Sequence, residues 1–161
     1  MVKDSPLAIV MAVTDVTEIL ESSSLAVICL VALVGNISLY IIVLKNRRLR
    51  SVTNFFILNL SLADILVAAV SMPITIATTV LGDWPLGQNG CVAVGFLTIL
   101  TFIASVMGLA LIAINRYYYV VQWKTYSHIF SKRRALPFCL LSWGISLALS
   151  VPPLFGWAEY R

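Results

Sequence analysis

Apolar residues run almost unbroken through four stretches of the chain, 22–44, 55–81, 92–121 and 135–157, and polar residues collect between them. About 20 helical residues cross a hydrocarbon core ~30 Å thick, and each stretch is at least that long. The two middle stretches exceed it enough to tilt or to extend past the core. The pattern predicts an all-α membrane protein with four transmembrane helices, joined by a basic turn at 45–53, a compact loop at 82–90 and a polar link at 122–132.

Local signals refine these elements. Gly82-Asp83-Trp84-Pro85-Leu86-Gly87 is dense in turn residues. Trp84 there has an amphipathic ring that suits either a headgroup anchor or a plug in the mouth of the bundle. Pro73 falls in the later half of the second span, where a missing N–H and a ring clash predict a bend that opens space. Residues 1–21 are mixed and partly charged, with no fold of their own expected, and 158–161 begin a further connection. The apolar run at 7–13 follows Lys3 but is short and lacks a small-residue cleavage site, so it does not read as a signal peptide.

Composition removes the soluble alternative. The 161 residues are 60% hydrophobic and 11% charged, with mean hydropathy +0.97, against roughly 45 to 50% apolar in a soluble domain. Lys45, Arg47, Arg48 and Arg50 lie between the first two spans, while Arg116, Lys124, Lys132, Arg133 and Arg134 surround the third connection. Nine of the eleven basic residues thus share one side, whereas Asp4, Asp15, Glu18, Glu21, Asp83 and Glu159 lie on the other. Basic residues in short loops stay cytoplasmic, which predicts an extracellular N-terminus. The net charge of +4 is therefore a topology signal and no sign of nucleic-acid binding.

Three polar residues stand out inside the spans: Asn36, Asp64 and Arg116. A charge at the bilayer centre costs roughly 2.5 to 3.5 kcal/mol on insertion scales, so such residues face a bundle interior or cavity and mark a working site. Arg116 also has a plain explanation, because a cation near a helix end snorkels to the headgroups. Cys29 and Cys139 read as small buried side chains. Cys91 opens the third span on the oxidising side and reads as half of a disulfide. His128 has no Cys, Asp or Glu beside it in its loop, and no nucleophile, base and oxyanion donor assemble anywhere, so an enzyme is not expected.

Gly35-Asn36, Asn59-Leu60-Ser61-Leu62-Ala63-Asp64, Cys91, Asn115-Arg116-Tyr117, and Trp143 with Pro152 occur in the order and spacing of the rhodopsin-like G protein-coupled receptors, and the chain resembles that class over 22–161. The resemblance implies the first four helices of a seven-helix plasma-membrane receptor, which detects an extracellular ligand or light and acts on a heterotrimeric G protein. Three further helices would complete it; the rival expectation is a shortened membrane partner that associates with full-length receptors. Asn115 to Tyr119 and the stretch 84–96 look like melatonin-type receptors, whereas Pro153-Leu154-Phe155-Gly156-Trp157 looks like opsins. Retinal would be the cofactor only of an opsin.

Roles follow residue by residue. Asp64 with Ser105 is implied as a sodium pocket, the alternatives being a protonated carboxyl or a water-linked node with Asn36. Arg116, flanked by Asn115 and Tyr117, is implied as the switch that meets the G protein, with Tyr126 in the next loop. The usual aspartate before that arginine is Asn115, which removes the ion pair that would hold it. The usual proline and large apolar residue of the next loop correspond to Trp123 and Lys124. Thr98 occupies the ligand-pocket position where amine receptors place an aspartate, and no carboxylate lies between Cys91 and Arg116. An amine held in the usual way is not expected. Trp143 is implied to donate to Asn59, and Ser142, Ser146 and Ser150 form a small-residue stripe suited to packing within the chain or to a receptor dimer.

Overall fold

The computed structural model describes residues 6–152, with side chains from residue 16 onward. Its elements are helices α1 (Pro6–Lys45), α2 (Val52–Leu66), α3 (Met72–Leu81), α4 (Gly87–Val120), α5 (Trp123–Ile129) and α6 (Lys132–Ser150). A 3₁₀ turn at Arg47–Leu49 joins α1 to α2, and a π-helical turn at Val67–Ser71 joins α2 to α3. Helices α2 and α3 therefore form one continuous span around the π turn. Among the described residues, Val16–Lys45, Val52–Leu81 and Gly87–Val120 are long and apolar enough to cross a membrane. The fourth helix, α6, opens on the basic run Lys132-Arg133-Arg134, and the later part of the fourth predicted span, 153–157, lies outside the described residues together with 158–161.

Two helix limits differ from the sequence expectation for physical reasons. Helix α1 begins at Pro6, not near residue 22. Nothing between residues 7 and 34 is glycine or proline, and the serine hydroxyls at 22–24 are satisfied inside the helix. Ser22, Ser23 and Ser24 donate back to the carbonyls of Ile19, Leu20 and Glu21 at 2.9 to 3.2 Å. The polar link at 122–132 also folds, into the short helix α5, because aromatic side chains hold it against the bundle.

The bundle is polar inside and apolar outside. Among the described residues, the largest fully buried side chains are Phe56, Asn115, Thr101, Ser61, Ser146 and Ser150, and only the first is apolar. Large aliphatic residues such as Val31, Leu109, Leu140 and Leu149 stand exposed. Lipid supplies no hydrophobic force between helices, so contact is made by small residues and hydrogen bonds. Ser142, Ser146 and Ser150 are all buried within the chain and donate to carbonyls of α6 itself, which lets that helix lie close to α4. Gly108 does the same for α4, since a Cβ there would sit 3.4 Å from Leu60 Cδ1.

One aromatic cluster breaks this rule and pins the basic end. Phe56, without solvent exposure, meets Phe130 and Phe138 edge-on at 6.1 and 6.4 Å between ring centres. Tyr126 stacks on Phe130 at 5.5 Å, and Tyr118 leans on the same ring. Helices α2, α4, α5 and α6 are thus joined where Arg116 leaves the bundle.

Candidate functional site: a polar layer between two helices

Helix α4 carries Thr98, Thr101, Ser105, Gly108 and Asn115, spaced by threes and fours or their sum, so all lie along one face. That face meets α2 and the π turn. The opposing residues are Ser71, Asp64, Leu60 and Thr53, and the pairs form successive contacts down the interface.

The π turn exists because of Pro73. The Met72 N–H reaches back five residues to Val67 O, and Pro73 has no N–H to give. The Ala68 carbonyl thereby loses both its ordinary donor and its five-residue substitute. Cys29 of α1 fills the gap, its thiol 3.0 Å from that oxygen in a buried setting. The extra residue in the turn brings Ser71 to face α4, where its hydroxyl lies 2.9 Å from that of Thr98.

A little further along, Ser105 donates to Asp64 Oδ1 at 3.2 Å. Both line a cavity of about 360 Å³ that also touches Asn36, Thr98 and Phe102. Asn36 donates to Ala32 O of its own helix at 2.9 Å, which leaves its side-chain oxygen as an acceptor on the same cavity. One carboxylate with neutral oxygens is the donor set of a hard cation of low charge. Asp64, Ser105 and Asn36 are the residues here that could hold one.

At the basic end Asn115 is 0% exposed and is held on both sides. Thr53 donates to its Oδ1 at 2.7 Å, and its Nδ2 donates to the Tyr126 hydroxyl at 3.3 Å. Asn115 therefore couples α2, α4 and α5. Arg116 is exposed, as is Tyr117, whose ring meets Tyr118 edge-on. Lys124 lies over the exposed Trp123 ring at 5.6 Å. Arg134 donates to the His128 carbonyl, closing the loop after α5.

Trp143 Nε1 donates to Asn59 Oδ1 at 2.9 Å, which ties α6 to α2. Cys91 is half-buried in the first turns of α4, and Pro152 is the last residue described. Trp84 is tied into its own loop by donating to Gly87 O at 2.8 Å.

These contacts, in this order along four packed helices, coincide with a match over residues 35–161 to the model of the 7 transmembrane receptor (rhodopsin family). The chain belongs to that family. It is 38% identical over 135 residues to the alpha-1D adrenergic receptor of Mus musculus, 84% of this chain and 24% of that receptor. The alpha-1A adrenergic receptor of Homo sapiens is 38% identical over 130 residues, 81% of this chain and 28% of that one. The chain spans about a quarter of the length of these curated relatives. They are adrenergic receptors, whereas the sequence resemblance within the rhodopsin family ran to melatonin-type receptors and opsins.

Sequence reasoning singled out Asp64, Ser105, Asn115 and Arg116 but not Thr53, Ser71 or Thr101. The three-and-four spacing along α4 carries a signal for Thr101. Thr53 lies 62 positions from Asn115, at the end of the stretch that reads from sequence as a basic turn, and nothing local marks it.

Proposed function

We propose that this chain forms the first four helices of a plasma-membrane receptor that passes an extracellular ligand or light signal to a heterotrimeric G protein, with its N-terminus outside and its basic end at the cytoplasm. The observation that carries the proposal is the arrangement around Asn115. A fully buried amide clamps α2, α4 and the loop helix α5 together, while Arg116, the next residue, projects free of any ion pair among the described residues. Movement of α4 against α2 would change Asn115's partners and the placement of Arg116, Tyr117 and Tyr126 in one step, as a relay requires. Lys124 adds a cation to the same surface.

The family membership supports a G protein partner, and the relatives' adrenergic names raise an amine ligand. Thr98 argues for a different mode here. It meets Ser71 by hydrogen bond and offers no carboxylate to an ammonium.

Guanine nucleotide exchange by a G protein on membranes carrying a receptor with this sequence tests the relay. In Asn115→Asp the new carboxylate beside Arg116 restores a charge-assisted hold, and exchange without ligand falls severalfold. Unchanged basal exchange, with the variant at wild-type level in the membrane, would contradict the proposal.

A further inference from the structure

Between α1 and α2 the chain reads Arg47-Arg48-Leu49-Arg50-Ser51-Val52, so three of the four residues before Ser51 are arginines. All three arginines and Ser51 itself are exposed. Guanidinium groups directly ahead of a free hydroxyl suit the acidic substrate cleft of an arginine-directed protein kinase, because charge pattern sets much of a kinase's choice. The nearest carboxylates along the chain are Glu21 and Asp64, so none in the segment opposes that attraction. A kinase needs the segment extended. Asn46 and Ser51 already have extended backbones on either side of the 3₁₀ turn. Among the described residues, the hydrogen bonds that hold 46–51 come from within 42–55, so the segment can open locally without parting the bundle. Other hydroxyls at this end are worse placed: Thr53 is spent on Asn115, Thr125 and Ser127 lie within α5, and Ser131 is half-buried.

A phosphate on Ser51 would find partners in place. Ser51, Arg50 and Lys132 line one hollow of about 310 Å³ between the starts of α2 and α6. Arg50 spends one N–H on Leu44 O at 2.6 Å and keeps the rest of its guanidinium fork, while Lys132 Nζ bonds no described residue. Ser51 Oγ caps α2 by accepting from the Asn54 N–H at 3.2 Å, and a phosphate oxygen can take over that bond. We propose that Ser51 is phosphorylated by an arginine-directed kinase and that the phosphate, paired with Lys132, ties the start of α2 to the start of α6. In the transfer Ser51 Oγ bonds to the γ-phosphorus of ATP, the bond to ADP breaks, and the hydroxyl proton passes to the kinase's aspartate.

The proposal needs the basic end at the cytoplasm, where ATP and kinases are, and does not need signalling. Nanodiscs leave both faces open, so a test there stands apart from both. The purified chain in phospholipid nanodiscs is incubated with ATP and the catalytic subunit of the cyclic AMP-dependent protein kinase, and mass spectrometry of the digest locates the phosphate. Wild type is phosphorylated on Ser51, Arg48→Gln at least tenfold more slowly, and Ser51→Ala loses the modification from that peptide. Phosphorylation raises the melting temperature of the wild type by roughly 2 to 4 °C. Lys132→Gln removes that gain, whereas Arg133→Gln, the same charge change one residue on, keeps it. Phosphate taken up by a synthetic peptide of residues 44–58 but not by the folded chain would overturn the proposal. So would an unchanged rate in Arg48→Gln, or a thermal gain that is absent in wild type or survives Lys132→Gln.

Discussion

Single residues carry the interior of this bundle because there is little else to carry it. With small polar side chains buried and aliphatic ones in lipid, each interhelical hydrogen bond is a discrete contribution. Bonds of this kind in membranes average about 0.6 kcal/mol and reach about 1.7. The bond from Trp143 to Asn59 is expected in that range, as the coupling energy of a double-mutant cycle between Trp143→Phe and Asn59→Leu in detergent unfolding. Asp64 is expected to act through a cation. With sodium at ten times its dissociation constant, binding adds about 1.4 kcal/mol of stability, so replacing sodium by N-methylglucamine lowers the melting temperature of the receptor and leaves Asp64→Asn unmoved. A sodium effect that persists in Asp64→Asn would remove the site. Most of these residues were legible in the sequence, because a lone Asp or Asn in an apolar run is conspicuous. Thr53 and Ser71 were not, because a hydroxyl in or near a helix commonly satisfies itself on its own backbone, as Thr101 does on Leu97 O. Only the fold reveals that Thr53 reaches Asn115.

At the scale of elements, the second span shows how one residue redirects a helix. Pro73 predicts a bend from sequence, and what forms is a π turn whose orphaned Ala68 carbonyl is met by Cys29 from another helix. Cys29→Ala is expected to cost about 1 kcal/mol, the worth of a typical buried hydrogen bond. In a Pro73→Ala background, where an N–H returns to the helix and the turn can wind as α, the same substitution is expected to cost close to nothing. A Cys29→Ala penalty that is equal in both backgrounds would separate the thiol from the turn. Helix α4 depends on close approach instead. Gly108→Ala brings its Cβ into ordinary contact with Leu60, whereas Gly108→Leu overpacks the contact and costs about 1 to 3 kcal/mol. The extents of α1 and α5 escaped the sequence for opposite reasons. A mixed, partly charged stretch before residue 22 concealed a helix that no glycine or proline interrupts, and a polar link gained order only from rings contributed by α2, α4 and α6.

At the scale of the whole molecule, the charge pattern and the inverted interior agree on a membrane bundle whose basic end carries Arg116, Lys124 and the aromatic cluster. The alternation of apolar spans and basic turns made that much legible. The close contacts from Ser71 and Thr98 through Asp64 and Ser105 to Thr53 and Asn115 needed the helices side by side. Orientation has its own check: in intact cells an impermeant maleimide is expected to label a cysteine placed at Asp83 and to spare one placed at Lys124, in a background with the native cysteines replaced. The central claim is that the basic end is the surface that acts on a G protein, and guanine nucleotide exchange driven by the receptor with Arg116→Ala tests it most directly. The account predicts at least a tenfold loss of stimulated exchange, with membrane level and ligand binding kept, since Arg116 is exposed and supports no packing. Exchange that continues at the wild-type rate would contradict it and leave Arg116 as a headgroup anchor.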